Sequence, residues 1–336
     1  MKTIICPPIY NEDYQEFNED AYFASFFKAS KLSAPMMNIA EKIVSELETG
    51  SGCVVLKNSY SGHNLNRAKS VLINVCRHIG WPVSQTPNPN FLEEITFKPS
   101  SNILSTSRGY RSRASIPLHT DRCDLNVLLC FAQAGNGGTT RIVNSVKLYD
   151  KIKENIPTSK HNIIDSYFPF SRHGETTERE KAFYLSKIFH SASSTSKFVA
   201  HYIRCFIEND NVKKDYPLNG PMIELLDAID QHAKCTDVGF NLTLSKGDIL
   251  FLNSHTTLHS REAYQDQKNE RLLLRMWLSH PFSRPLPDDF SHAFKNIAPG
   301  SYRGGIWDND KVRIFYQTQF LHAQHEDQLL HAQHRK

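Results

Sequence analysis

His119 and Asp121, in the run Leu118-His119-Thr120-Asp121, form an H-x-D pair. Side chains two positions apart on a β-strand point to the same face, so this imidazole and carboxylate can grip one metal ion. A second histidine would complete three ligands on one side of the ion and leave the other side open. That facial arrangement suits Fe(II) and the activation of oxygen. The missing parts lie far downstream. Residues 252–261 offer His255 and His259, which on a strand share one face, so spacing alone leaves both as candidates. Arg271 and Arg275 come next, four apart in a leucine-rich run. Two guanidinium groups on the inward face of a strand are costly unless they meet anions. A planar fork of this kind suits a carboxylate held by paired hydrogen bonds.

The segments around these residues must bring them together. Ahead of them, residues 19–31 have an aromatic stripe at Tyr22, Phe23, Phe26 and Phe27 that predicts a core-facing helix. Residues 35–48 and 64–80 predict two more helices, separated by a short buried strand at 53–57. Residues 92–99 alternate as a strand does, and 101–113 read as a polar loop that could wall the site. After the H-x-D pair, 126–131 is a continuous apolar run, as in a strand buried on both faces. A Gly-rich turn at 135–140 leads into another strand. Helical spacing then dominates 146–237, with a polar stretch at 172–196, before strands return at 240–244, 249–252 and 271–279. The repeated Leu-His-Ala-Gln-His near the end reads as a polar tail or frayed helix, not a metal site.

Helices, strands, a helical excursion and strands again predict an α+β chain with a mainly β core. The core is a double-stranded β-helix, or cupin-like jelly roll, which lets distant ligands meet. One domain is expected over 1–320, with N-terminal helices and a strand at 19–80, core strands at 90–145 and 238–310, a helical insertion at 146–237, and a tail at 321–336.

Composition narrows the function class. The net charge of +4 is scattered over 336 residues, which argues against a nucleic-acid partner. No apolar stretch approaches the roughly 20 residues that span a bilayer, and the N-terminus does not read as a signal peptide. Seven cysteines, an odd number with no C-x-x-C, suggest reduced thiols and a cytoplasmic setting.

Together, residues 117–124, Gly137-Gly138-Thr139-Thr140 and residues 255–278 resemble, in order, the taurine dioxygenase superfamily of Fe(II)/2-oxoglutarate-dependent oxygenases. The resemblance implies that His119, Asp121 and His259 are the iron ligands. His259 is preferred to His255 because it precedes the Ser260-Arg261 step and stands at the family's distance from Arg271. It further implies that Arg271 and Thr140 hold the distal carboxylate of 2-oxoglutarate. Arg275 would support the cosubstrate or approach the primary substrate. Arg108, Asp124 and Asn126 are further candidates for contact with substrate. Residues 299–306 look like a family ending without an assignable role.

The chemistry implied is oxidative decarboxylation of 2-oxoglutarate with O2 to succinate and CO2, coupled to hydrogen removal from a small substrate. That substrate is expected to be amino-acid-like or a natural-product intermediate, carrying a carboxylate or another anion if Arg275 touches it. Relatives that halogenate lack the carboxylate ligand, so Asp121 points to hydroxylation, with desaturation or ring formation as alternatives. A zinc hydrolase with His/Asp/His ligands and a non-catalytic cupin-like binding protein are the rival readings.

Overall fold

The computed structural model describes residues 1–5, 34–98, 112–172, 183–192, 197–266, 270–307 and 310–333. The helix expected at 19–31 and most of the loop at 101–113, with Arg108, lie outside the described residues. Two facing sheets form the core. The larger has the order β1 (Lys2–Ile5), β2 (Cys53–Lys57), β14 (Ile249–Asn253), β6 (Leu125–Ala132), β17 (Leu272–Ser279) and β3 (Trp81–Val83), with β4 (Glu93–Ile95) also on β17. The smaller has the order β13 (Gly239–Leu242), β8 (Thr140–Asn144), β15 (Thr257–Arg261) and β5 (Ile116–His119). A short ribbon beyond it pairs β7 (Asn136–Gly137) with β16 (Tyr264–Gln265). The sheets remain separate, as the two halves of a jelly roll, and do not close into a barrel. The first residues of the chain, too short to read as an element, form β1, which pairs parallel to β2.

Alternation along β6 and β17 sorts the layers. Leu125, Val127 and Leu129 of β6, with Leu274, Met276 and Leu278 of β17, join a cluster under the N-terminal helices. Leu128 and Cys130, with Leu273, turn the other way and meet Ile142 of β8 between the sheets. Each strand is therefore buried on both faces, as its continuous apolar run requires. The covering helices are α1 (Ala34–Thr49) and α2 (Leu65–Arg77). Asn64 caps α2 by accepting the Arg67 N–H at 3.0 Å, and Ala68, Val71, Leu72 and Val75 form its buried stripe.

The insertion is more mixed than helical spacing implied. It begins with α3 (Ser145–Asn155) and ends with α4 (Gly220–His232). Between them β9 (Tyr167–Ser171) pairs with β10 (Phe183–Lys187), and β11 (Phe189–His190) with β12 (Val199–Ala200). Their aromatic side chains fill a separate core: Phe168, Phe170, Tyr184 and Phe189 pack with Leu225 and Leu226 of α4. Period-two stretches of five residues or fewer were masked by the helical pattern around them. Of the two forms expected for the C-terminal end, polar tail or frayed helix, the described residues take the helical one. α5 (Asp310–Gln333) runs across the boundary expected at 320/321. The Phe320 ring sits edge-on to Trp81 at 4.5 Å, and Tyr316 to Phe91 at 4.8 Å, so the helix docks on the body of the molecule. Among the described residues, no helix is long and apolar enough to cross a membrane.

Beside the sheets lies a buried charged network. Asp124, a candidate for contact with substrate, is fully buried. Its Oδ1 accepts from His255 Nε2 and from Arg303 Nε, each at 2.8 Å. Arg303 comes from the terminal segment that had no assigned role. On α1, Glu48 accepts from His280 Nε2 at 3.1 Å, Asn253 Nδ2 at 2.9 Å and Arg284 Nη2 at 2.9 Å. Burial opposes the Glu48 charge, but the His280 hydrogen bond and the Arg284 guanidinium outweigh it and hold the carboxyl at about 2. A carboxyl depressed from 4.5 on folding adds stability that is present above 4.5 and lost as pH falls toward 2. Urea unfolding followed from neutral to acid pH is expected to show this loss. Glu48→Gln should flatten part of the acid slope; an unaltered slope would show that Glu48 does not carry it.

Candidate metal centre and cosubstrate pocket

Strand pairing sets up the centre. β15 lies between β8 and β5, and in its register with β5, His259 stands opposite His119. The two rings are 4.2 Å apart, centroid to centroid. His119 is the last residue of β5, so Asp121 lies in the turn beyond the strand rather than on it. The Thr120 N–H donates to Tyr202 O at 2.8 Å, which ties the turn to the insertion. Asp121 Oδ1 is 3.9 Å from His119 Nε2, and its Oδ2 is 3.6 Å from His259 Nε2. One donor atom from each of the three residues falls within 4.8 Å of the others.

Cis ligands on an octahedral ion, with bonds of about 2.1 Å, stand about 3 Å apart, so a small inward shift would close this set on a metal. Proton positions suit the task. His119 Nδ1–H donates to Pro117 O at 2.8 Å, which leaves the Nε2 lone pair facing the centre. Burial, with His119 beside it, pushes His259 down to about 3, so its imidazole is neutral at pH 7. Burial works against the charge on Asp121. The neighbouring His259, Arg275 and His119 outweigh it and keep the carboxyl below its ordinary range. Two imidazoles and one carboxylate are a donor set that fits Fe(II).

The alternative histidine goes elsewhere. His255 lies in the turn between β14 and β15, is 1% exposed, and is bonded to Asp124. Asn126 points the other way, toward the centre. Its Nδ2 donates to Asp121 Oδ2 at 2.6 Å and is 3.4 Å from His259 Nε2. It braces the carboxylate.

Beside the histidines opens a cleft of about 460 Å³, its open mouth included. Arg271, Leu273 and Arg275 alternate along β17 and its approach, so one face of that strand forms a wall. Ile95, Ile116 and Leu128 make the wall apolar, and Thr140, Asn126 and Arg261 add polar groups. The Gly-Gly turn has a steric purpose. Gly138 has φ +75°, and a Cβ there would meet Arg271 Nε at 3.1 Å, so glycine lets the arginine lie close to the backbone. Glutamine amides orient both arginines. Arg271 Nε donates to Gln133 Oε1 at 3.2 Å, and Arg275 Nε to Gln85 Oε1 at 2.6 Å. The Arg275 guanidinium also lies 5.0 Å from the Trp277 ring centroid.

Sequence reasoning did not single out Gln85, Gln133 or Arg261. No spacing rule links either glutamine to its arginine across the fold. Arg261 did carry a signal: it is two residues from His259 and so on the same face of β15. Burial, with Arg271 nearby, pushes Arg261 down to about 10.

With this geometry in view, the similarities to known proteins bear on a defined site. The model of the family "Taurine catabolism dioxygenase TauD, TfdA family" matches residues 34–277. The chain is 25% identical over 267 residues to FR-33289 synthase of Streptomyces rubellomurinus, covering 75% of this chain and 76% of the relative. Its fold is similar to that of asparagine oxygenase in complex with Fe(II), 2S,3S-3-hydroxyasparagine and succinate, with TM-score 0.55 and 13% identity over 77% of this chain and 89% of that one. It is similar also to the non-heme iron oxygenase OrfP in complex with Fe and alpha-ketoglutaric acid, with TM-score 0.55 and 12% identity over 79% of this chain and 87% of that one. The family match runs through both sheets, from α1 into β17, and sets aside the hydrolase and non-catalytic readings. The chain belongs to the taurine catabolism dioxygenase TauD, TfdA family and is a non-haem Fe(II)/2-oxoglutarate-dependent oxygenase.

Proposed function

We propose that the enzyme hydroxylates a small, anionic, amino-acid-like or natural-product substrate, with His119, Asp121 and His259 holding Fe(II). The observation that carries this reading is the three-residue donor set opening onto a cleft lined by buried arginines. Bound there, iron with 2-oxoglutarate and O2 supplies the oxidant that takes hydrogen from the substrate, with release of succinate and CO2. The remaining work belongs to the chain. Asn126 holds one oxygen of Asp121 and leaves the other for the metal. Thr140 and Arg271 anchor the distal carboxylate of the cosubstrate, and Ile95, Ile116, Leu128 and Leu273 exclude water beside it. Arg275, fixed by Gln85 and closer to Asp121, presents a cation to the substrate.

Its charge favours a substrate with a carboxylate or comparable anion. The hydroxyasparagine in the asparagine oxygenase complex supports an amino-acid-like frame, and FR-33289 synthase supports a role in making a natural product. A single cleft shared by both sheets supports one oxygenase domain. The unpaired Cys53, Cys76, Cys123 and Cys130, all buried, suit a reducing cytoplasm.

Anaerobic titration of the Fe(II) protein with 2-oxoglutarate is expected to raise a metal-to-ligand charge-transfer band. A panel of amino acids scored for succinate release would then find the substrate class. Product mass separates the outcomes: hydroxylation adds one oxygen, whereas desaturation or ring closure removes two hydrogens. No band and no succinate with any substrate would end the proposal. His259→Ala should abolish metal binding and turnover, while His255→Ala keeps some of both; the reverse would identify His255 as the ligand. Arg271→Ala should weaken 2-oxoglutarate binding by about 2–5 kcal/mol, the cost of stranding one partner of a buried charge pair. Unaltered affinity would remove that role.

A further inference from the structure

We infer that Arg261 is a second clamp for the distal carboxylate of 2-oxoglutarate and sets the enzyme's preference for a keto diacid over a keto monoacid. The inference deepens the proposed role of the cleft and rests on it.

Arg261 and Arg271 are 6% and 2% exposed, and both line the cleft. The protein gives each only part of what a guanidinium needs. Arg261 Nη2 donates to two backbone carbonyls, Ser112 O at 2.7 Å and Ala114 O. Arg271 Nε donates to the neutral amide oxygen of Gln133. Arg261 Nε and Nη1, and Arg271 Nη1, are buried and have no hydrogen-bond partner among the described residues. Asp266, beside them in the chain, is engaged elsewhere. One oxygen accepts the Arg271 backbone N–H at 2.8 Å, and the other accepts Arg113 Nε at 2.9 Å. Tyr264 backs both guanidiniums, its ring centroid 4.9 Å from Arg261 and 5.2 Å from Arg271. Two buried cations of like sign, held against one ring with three donor nitrogens unmet, are costly alone. They become favourable when they share an anion, because a carboxylate has about four acceptor sites and can serve two forks.

Strand geometry says where that anion sits. Arg261 is directly opposite Thr140 in the register of β15 with β8. Thr140, Arg261 and Arg271, whose stem crosses Gly138, therefore bound one end of the cleft. Along β15, Arg261 lies two residues beyond His259, roughly 6.6 Å further from the metal ligands. That separation suits the far end of a five-carbon diacid whose keto-acid end reaches the metal. Arg275 is oriented by Gln85 instead and does not complete this set.

The test compares two ligands on the Fe(II)-loaded protein under anaerobic conditions. One is 2-oxoglutarate; the other is 2-oxopentanoate, the same five-carbon keto acid with a methyl group in place of the distal carboxylate. Dissociation constants for both are read from the charge-transfer band. Wild-type protein is expected to favour the diacid strongly. Arg261→Met should cut that preference about tenfold or more, the loss expected for hydrogen bonds to a charged group, and leave the monoacid constant nearly unaltered. Arg261→Lys, which keeps the stem and charge but loses the fork, should fall between and serves as the test if the methionine variant does not fold. Either folded variant with the full wild-type preference overturns the inference. So does an equal loss for both acids, since a mere prop for the 112–114 segment would weaken the two alike. If the wild-type protein itself shows no preference, the cosubstrate assignment fails before this one.

Discussion

Antiparallel pairing of β5 with β15, with His119 opposite His259, is the constraint on which the site depends. Side chains alternate across a sheet, so a slip of one residue would send His259 and Arg261 to the other face together. The central place of β15 guards against such a slip. β8 holds its other edge over five consecutive pairs, from Thr257 with Asn144 to Arg261 with Thr140. The pairing with β5 then becomes irregular between His259 and Arg261. That irregularity lies within β5, between His119 and Ile116, on the side away from the turn carrying Asp121. One edge of β15 thus supplies a histidine pair, and the other aligns a hydroxyl with a guanidinium.

Charge is treated in opposite ways on the two sides of the H-x-D turn. Away from the metal centre, Asp124 meets Arg303 and His255, and Glu48 meets Arg284 and His280. These opposed groups are desolvated together, which fastens α1, the 124 turn and the C-terminal segment around the sheets. Such pairs are costly to break and contribute little beyond a hydrophobic equivalent when whole, so their value here is to fix positions. On the cleft side, Arg261 and Arg271 find only neutral acceptors among the described residues. There the fold leaves its electrostatics incomplete, and an anionic ligand completes them. The result is a site whose positive end is preorganised, so little rearrangement is needed when a carboxylate arrives.

Much of the fold was legible because its patterns are local. The 3,4 spacing in α2 and α4 and the apolar runs of β6, β14 and β17 all read directly from neighbouring residues. Strands of two to five residues inside the insertion did not, because so short a period-two signal is swamped by flanking helical spacing. β1 is four residues long, and its pairing depends on β2, some fifty positions away in the chain. The terminal helix α5 was obscured by a polar repeat. Its docking rests on Phe320 and Tyr316, which contact aromatic residues distant in sequence.

At the site itself, the residue types in H-x-D, Gly-Gly-x-Thr and the Arg271/Arg275 step determined the reaction class, since the chemistry of metal donors and carboxylate forks belongs to the side chains themselves. Tertiary structure decided which partner each side chain meets. It sent His255 and Asp124 to a buried network, Asn126 to the Asp121 carboxylate, and Gln85 and Gln133 to the two arginines. A side chain's chemistry is written in its own letter, but its hydrogen-bond partner is selected by strand register and turn geometry. Those arise only when segments more than a hundred residues apart compete for the same space.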